Sequence, residues 1–406
     1  MSINPGSTSS ADAILRSADL LPRMRKRWHA YEVYLSALVI FAASRAVVVA
    51  GVNLGMRRVR AADIVRTLDP AILQADNIWY YRLLHWDSQR FHAIAHDGYQ
   101  YSGDPTVMST VAFFPLYPLV AYVVKSLFSI DTDLALLLVA NIAALAVALL
   151  FTKFVRDEFG DRVALLSLGS LCFFPSSLFL SAGYSESLCL AFVLLSFICL
   201  RREKFVLAAV MAGLASGTRH IGIVVMPVIL WEMWQRNALP WPRLLPRMAL
   251  CGFLAASGLL AYMAFLGIKF GQPLEFATGQ LAWNKGAWRG DTIFERLLSS
   301  MTLAPFWHAY PEWIAVFLSF LALSLWSFRR LRLTLSLYAL GSLMLPYFTL
   351  GITASAIRVG LMCFPAWICV GILCERRLWL TISLIGILGA ILLWEAALFS
   401  QWYFVG

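Results

Sequence analysis

Charge is what this chain of 406 residues has least of. Asp, Glu, Lys and Arg make up 14% of it, where soluble domains carry about 25%. With 60% hydrophobic residues, that scarcity excludes an ordinary soluble enzyme. Alternating ten-residue segments are absent, which excludes a transmembrane barrel. No long hydrophilic domain is appended. The seven cysteines (Cys172, Cys189, Cys199, Cys251, Cys363, Cys369, Cys374) form no Cys-x-x-Cys pair and all lie in apolar runs. They read as small buried hydrophobes, not disulfides or thiolate metal ligands. No small-residue cleavage site follows a short apolar core near the start, so no cleaved signal peptide is expected. No Asn-x-Ser/Thr sequon occurs, in keeping with a prokaryotic source. No Gly-rich phosphate loop follows a strand, so no nucleotide-sugar site is read, no cofactor is expected and no metal is required.

What is present is apolar sequence in long runs. Stretches of about 17–25 residues recur from Val33 to Phe404, the length of a helical membrane span. The expected fold class is an all-α polytopic membrane protein. Candidate spans are 33–55, 133–155, 163–181, 184–200, 205–218, 220–235, 248–270, 312–328, 333–351, 357–374 and 378–400. The net charge of +10 is read as topology, not as nucleic-acid binding, because Lys and Arg accumulate in cytoplasmic loops. Charge also decides the difficult segment 205–235. It is long for one crossing and short for two, at about 1.5 Å per residue. Arg201, Arg202 and Lys204 precede it; Arg236, Arg243 and Arg247 follow it. Both groups favour the cytoplasm, so the segment must cross twice, with its apex at Gly217-Thr218-Arg219-His220. The segment 111–128, broken by Pro115 and Pro118, is assigned to the first outer loop as a juxtamembrane or re-entrant element.

About eleven crossings then place the N-terminus inside. Residues 1–32 form a cytoplasmic basic segment and 33–406 a single transmembrane unit. Its two large extracytoplasmic loops are 57–131 and 271–311. Arg57, Arg58 and Arg60 sit outside, against the charge rule.

This topology collects the unusual polar residues on one face. Ionisable groups at membrane depth usually line a cavity or pair with one another. Asp87, in His85-Trp86-Asp87-Ser88-Gln89-Arg90, is either a helix cap or salt-bridge partner of Arg82 or Arg90, or a general base taking a proton from a hydroxyl. Trp86 beside it would desolvate it. Glu186, in Gly183-Tyr184-Ser185-Glu186-Ser187, is either a helix-start carboxylate or a site residue. Arg219, at the tip of two half-helices, and Arg358 are two cations suited to bidentate phosphate binding. His220 and Lys285 are possible helpers. Arg45, mid-span, pairs internally or snorkels. Trp283, Lys285, Trp288 and Arg289 interleave rings and cations in the second large loop. They are interface anchors or a carbohydrate contact.

The order of motifs resembles a known family. Trp86-Asp87, Ile94-Ala95-His96-Asp97-Gly98-Tyr99, Phe113-Phe114-Pro115-Leu116-Tyr117-Pro118, Phe174-Pro175-Ser176-Ser177, Tyr184-Ser185-Glu186-Ser187, Thr218-Arg219, and Arg358 followed by Phe364-Pro365 are similar to the mannosyltransferases that add the second mannose in glycosylphosphatidylinositol anchor synthesis, and to their prokaryotic relatives. The chain departs from the family at His220-Ile221, where a small or apolar pair is usual. The resemblance implies a GT-C-like bundle in a bacterial or archaeal cytoplasmic membrane, with an active site on the extracytoplasmic face. It implies a polyprenyl-phosphate sugar donor, usually mannose, inverting transfer, and a lipid or glycolipid acceptor. Asp87 would then be the base; Arg219, Arg358 and His220 would hold the donor phosphate. Trp86, Tyr184, Glu186, Trp283, Lys285, Trp288 and Arg289 would contact or support the sugar. A lipid phosphate leaves readily, so one carboxylate is enough. The rival reading is a transporter or flippase of a lipid-linked sugar. It would favour polar groups on both faces and an inverted repeat, neither of which the sequence shows.

Overall fold

The computed structural model describes residues 10–56, 78–104, 107–236, 240–282, 311–350 and 354–405, and among these every regular element is helical. Four helices are individually long and apolar enough to cross a membrane: α1 (Ser10–Met56, over its part Tyr31–Met56), α4 (Thr132–Phe159), α9 (Trp241–Phe270) and α15 (Leu378–Phe399). Shorter helices complete the bundle. They are α2 (Asp87–Asp97), α3 (Leu116–Phe128), α5 (Asp161–Phe173), α6 (Glu186–Arg201), α7 (Phe205–Thr218) and α8 (Val225–Arg236). Further on come α10 (Glu275–Thr278), α11 (Pro311–Ser327), α12 (Leu333–Leu350), α13 (Ala354–Val359) and α14 (Phe364–Cys374).

Helices lie in the apolar runs, with breaks that hydropathy alone does not mark. The run 163–181 is a short helix and a 3₁₀ turn, because Pro175 cannot donate an amide and bars the helical conformation from Phe174. The carbonyls freed there are claimed by Arg45. Its guanidinium donates to Cys172 O at 3.0 Å and Ser177 O at 2.7 Å, and to the hydroxyls of Ser177 and Ser181. Arg45 is thus an internal brace, one of the two roles open to it from sequence. The run 357–374 likewise divides into α13 and α14, with Pro365 in the first turn of α14. The segment 205–235 breaks at Arg219, whose backbone is extended (φ −154°, ψ 146°), and a 3₁₀ turn over His220–Val224 leads into α8.

Close packing rests on small residues, as expected where lipid removes any hydrophobic drive between helices. A Cβ on Gly258 of α9 would strike the backbone of Gly213 and Gly217 on α7. A Cβ on Gly51 of α1 would sit 2.5 Å from Leu393 O on α15.

The bundle has two chemically different ends. At one, Arg201 and Arg332 pair with Glu158, Arg156 with Asp161, and Arg236 with Glu203 and Glu232. These join the ends of α4, α6 and α8 to the starts of α5 and α12. At the other end lie the starts of α2 and α6, the break at Arg219, and α13.

Candidate active site

The residues Asp87, Glu186, Arg219 and Arg358 come from four separated parts of the chain and meet at that second end. The meeting begins with backbone. Gly183 N–H donates to Leu83 O at 3.0 Å, and a Cβ on Gly183 would strike the Leu84 side chain. Glycine lets the turn before α6 approach the turn before α2 this closely without displacing the Leu84 side chain. Asp87 and Glu186, the first residues of α2 and α6, are thereby brought side by side. Each carboxylate also sits at the positive end of its helix.

One guanidinium, that of Arg358, bridges the two acids, and a second, that of Arg219, pairs with Glu186 alone. Arg358 Nη1 donates to Asp87 Oδ2 at 2.8 Å, and Arg358 Nε lies 3.0 Å from Glu186 Oε1. The second contact is an ion pair seen off-axis and not an aligned hydrogen bond, since Nε has no hydrogen-bond partner among the described residues. Arg219 Nη1 donates to Glu186 Oε1 at 2.7 Å and to Ser185 Oγ at 3.1 Å. Glu186 is only 1% exposed, and the two cations give this buried carboxylate the paired charges that burial calls for. The four charges sum to zero.

These groups line a cavity of about 190 Å³ with Phe91, Phe113, Phe114, Thr218, His220, Gln280 and Phe404. Three buried polar atoms of its lining residues have no hydrogen-bond partner among the described residues: His220 Nε2, Glu186 Oε2 and the Arg358 Nε already noted.

Trp86 and Tyr184 stand behind Asp87 and do not line the cavity. Tyr184 is fully buried; its hydroxyl accepts from the Asp87 amide at 3.3 Å and donates to His85 O at 3.2 Å. Trp86 precedes α2 with φ 59° and ψ −115°, a backbone conformation that side chains rarely adopt and that surrounding contacts must enforce. Arg358 also lies 5.2 Å from the ring centres of both Phe179 and Tyr184.

Several sequence expectations change here. The partner of Asp87 is Arg358; of the two cations considered from sequence, Arg82 donates to Ser400 O and Arg90 reaches Met108 Sδ. Arg219 and Arg358 are not idle phosphate ligands but are already engaged by carboxylates. Glu186 is at once a helix-start residue and the hub of the ion network. Sequence reasoning missed Phe404 and Gln280, which carry no motif, and it gave Ser185 no role although the residue lies inside a quoted motif. It also overlooked an Asp-x-Asp triplet, Asp131-Thr132-Asp133. Its first acid caps α4 by accepting from Leu134 N–H at 2.7 Å, and its second pairs with His92 Nδ1 at 2.6 Å. Among the described residues no three His, Cys, Asp or Glu are grouped to hold a metal ion. Trp283, Lys285, Trp288 and Arg289 lie outside the described residues.

Fold and site together define a multi-pass helical membrane protein that gathers its buried charge around a cavity at one end. Residues 65–237 match the family described as Mannosyltransferase (PIG-V), and over that stretch the resemblance read from the motifs stands. A curated relative, GPI mannosyltransferase 2 of Drosophila pseudoobscura pseudoobscura, is 32% identical over 162 residues, which is 36% of this chain and 33% of the relative. The chain therefore matches only about a third of that relative's length. Among solved structures, the apo form of ArnT from Cupriavidus metallidurans is 18% identical with a TM-score of 0.44, over 84% of this chain and 60% of that one. The apo Archaeoglobus fulgidus oligosaccharyltransferase is 13% identical with a TM-score of 0.46, over 89% and 56%. Likeness at that level does not bear on chemistry.

Proposed function

We propose that this chain is an inverting membrane mannosyltransferase. It moves a mannosyl residue from a polyprenyl-phosphate donor to a hydroxyl of a lipid-linked or other extracytoplasmic acceptor. The observation that carries this reading is the buried array Asp87–Arg358–Glu186–Arg219 on the wall of one cavity. Three of its four residues fall within the stretch that matches the PIG-V family.

The chemistry follows from the charges. Asp87 takes the proton of the acceptor hydroxyl while that oxygen bonds to the anomeric carbon. The bond from that carbon to the phosphate oxygen breaks on the opposite face, and its electron pair leaves with the lipid phosphate. Asp87 becomes neutral as the phosphate gains a negative charge. Arg358, balanced by Asp87 beforehand, is released to the leaving group at that moment. Its stabilisation thus grows toward the transition state, which is what accelerates a reaction. Arg219 supplies the second cation. His220 Nε2 and Glu186 Oε2, unpartnered at the cavity wall, receive sugar hydroxyls. No metal or other cofactor enters this scheme.

In the same reading residues 33–406 form one GT-C-like domain of about eleven crossings after the basic segment 1–32. The loops 57–131 and 271–311 are extracytoplasmic, and Trp283, Lys285, Trp288 and Arg289 help hold the sugar. The membrane is a prokaryotic cytoplasmic membrane. The contrast between the two ends supports this orientation, since the arginine-rich end suits the cytoplasm.

Purified protein, radiolabelled polyprenyl-phosphate mannose and a lipid extract test the proposal. Label should move to a new lipid product, and Asp87→Asn should reduce the rate by at least about 100-fold with donor binding retained. Movement of intact donor across vesicles without transfer would instead identify a flippase.

A further inference from the structure

Asp87 is presented by a turn, residues 82–86, that ends in the unfavourable backbone of Trp86. Something must hold that turn. Tyr184 braces it from one side. Gly183 holds it through Leu83 O, and a further set of contacts comes from the residues at and after the end of α15, more than 300 positions along the chain. Arg82 Nη1 donates to Ser400 O at 2.8 Å. His85 Nδ1 lies 2.9 Å from Phe399 O; a carbonyl can only accept, so Nδ1 carries the proton. The His85 ring stacks on Trp402 with centres 3.7 Å apart and planes 19° apart. Trp86 meets Trp402 at 6.0 Å and Phe404 edge-on at 5.4 Å. Trp402 is 2% exposed and, like Trp86, adopts a positive φ, here 70°. Phe404 continues past Trp86 to line the cavity beside Asp87, and it remains 49% exposed.

We infer that segment 400–405 is a working part of the active site, with Trp402 a positioning residue for Asp87 and Phe404 a wall against the bound sugar. The segment lies outside residues 65–237, the part matching the family. The roles assigned to it rest on the mannosyltransferase reading; the brace itself rests on geometry. Trp402 touches no reacting atom. It fixes His85 and Trp86, and those two residues set where the Asp87 carboxylate enters the cavity. A base displaced by about 1 Å loses on the order of 100-fold in rate. Phe404 offers an aromatic face at the cavity rim, a surface on which the C–H face of a sugar can stack.

The test uses the full chain in detergent with Trp402→Ala, Trp402→Phe and Phe404→Ala. Three quantities are measured: thermal unfolding, kcat and KM for mannosyl transfer, and hydrogen exchange of peptides spanning 82–91. Trp402→Ala should lower kcat about 100-fold and speed exchange at 82–91 even well below its unfolding temperature, which the loss of a buried ring also lowers. Trp402→Phe keeps a ring to stack on His85 and should restore most of both. Phe404→Ala should raise KM about tenfold with kcat nearly constant, since it removes uniform binding. Wild-type exchange and kcat in Trp402→Ala would overturn the positioning role, as would a folded Trp402→Phe that fails to rescue. If Trp402→Ala does not fold, the half-exposed Phe404 decides, and an unchanged KM there sinks the inference. A wild-type chain that transfers no mannose defeats the proposed function, while exchange at 82–91 still judges the brace.

Discussion

Arg358 Nη1 donates to Asp87 Oδ2 at 2.8 Å across 271 residues of sequence. In the proposed reaction the pairing would give the arginine a dual position, on the acid before reaction and near the leaving group during it. It also gives the acid a fixed direction, since Oδ2 is held and the carboxylate cannot swing freely. Neither residue is wide open: their side chains are 17% (Asp87) and 8% (Arg358) exposed.

Replacing the two partners should therefore have unequal effects. Asp87→Asn keeps an acceptor oxygen for Arg358, and thermal stability should fall only slightly while transfer is lost. Arg358→Ala leaves Asp87 and Glu186 facing each other with one cation removed. Breaking a buried pair in this way costs about 3–5 kcal/mol. Thermal unfolding of both variants in detergent checks the order, and equal stability would contradict the assigned geometry.

Glu186→Gln should be more damaging to folding than a surface carboxylate change. Glu186 Oε1 serves Arg219 and Arg358 together and its side chain is 1% exposed, so the amide weakens two buried ion pairs where Asp87→Asn weakens one. Loss of about 2–4 kcal/mol is expected. A double replacement, Glu186→Gln with Arg219→Gln, should recover part of it, because net charge in the cavity is restored. Strictly additive losses would show that the two residues do not act as a pair.

The link between α2 and α4 should depend on pH. His92 Nδ1 lies 2.6 Å from Asp133 Oδ1, and that hydrogen bond raises the His92 pKa above its ordinary 6.5. A group with a raised folded pKa stabilises fully below its unfolded value and loses that contribution as pH rises through the folded value. The stability difference between wild type and His92→Ala should thus be largest below about pH 6.5 and shrink toward alkaline pH. The His92 side chain is 40% exposed, so the effect should stay within about 1 kcal/mol. A difference that grows on the alkaline side would reverse the assignment.

Gly258→Ala tests the packing that sets the Arg219 break. The new methyl would meet the backbone of Gly213 and Gly217, the last turns of α7 before Arg219. Backbone cannot yield as a side chain does, so a loss of about 1–3 kcal/mol is expected. Gly386→Ala, where nothing lies within 4 Å, is the matched control and should be near neutral.

The legible part of this molecule was the part written in composition and local pattern. Apolar length placed α1, α4, α9 and α15, and Lys and Arg on both sides of 205–235 required a reversal there; the chain breaks at Arg219. The prolines at 175 and 365 were visible, but their consequence was not. A buried helix that ends at a proline needs a donor for the carbonyls left free, and Arg45, far back in the sequence, donates to them at Pro175. The Asp131-Thr132-Asp133 triplet shows the converse: residues that look like ligands are used up by a helix cap and a histidine.

The sequence by itself determined a helical membrane protein, and among its longer list of candidate site residues were the two acids and two arginines that the fold brings together. Hydropathy and charge act locally, each residue choosing lipid or water on its own account. Tertiary structure alone decided who pairs with whom. It turned Arg219 and Arg358 from a bare phosphate clamp into the middle of an ion network, and it brought Trp402 and Phe404 against Trp86. Those choices depend on desolvation, because a buried charge must find its opposite within a few ångströms wherever the chain delivers one. Sequence distance has no part in that energy.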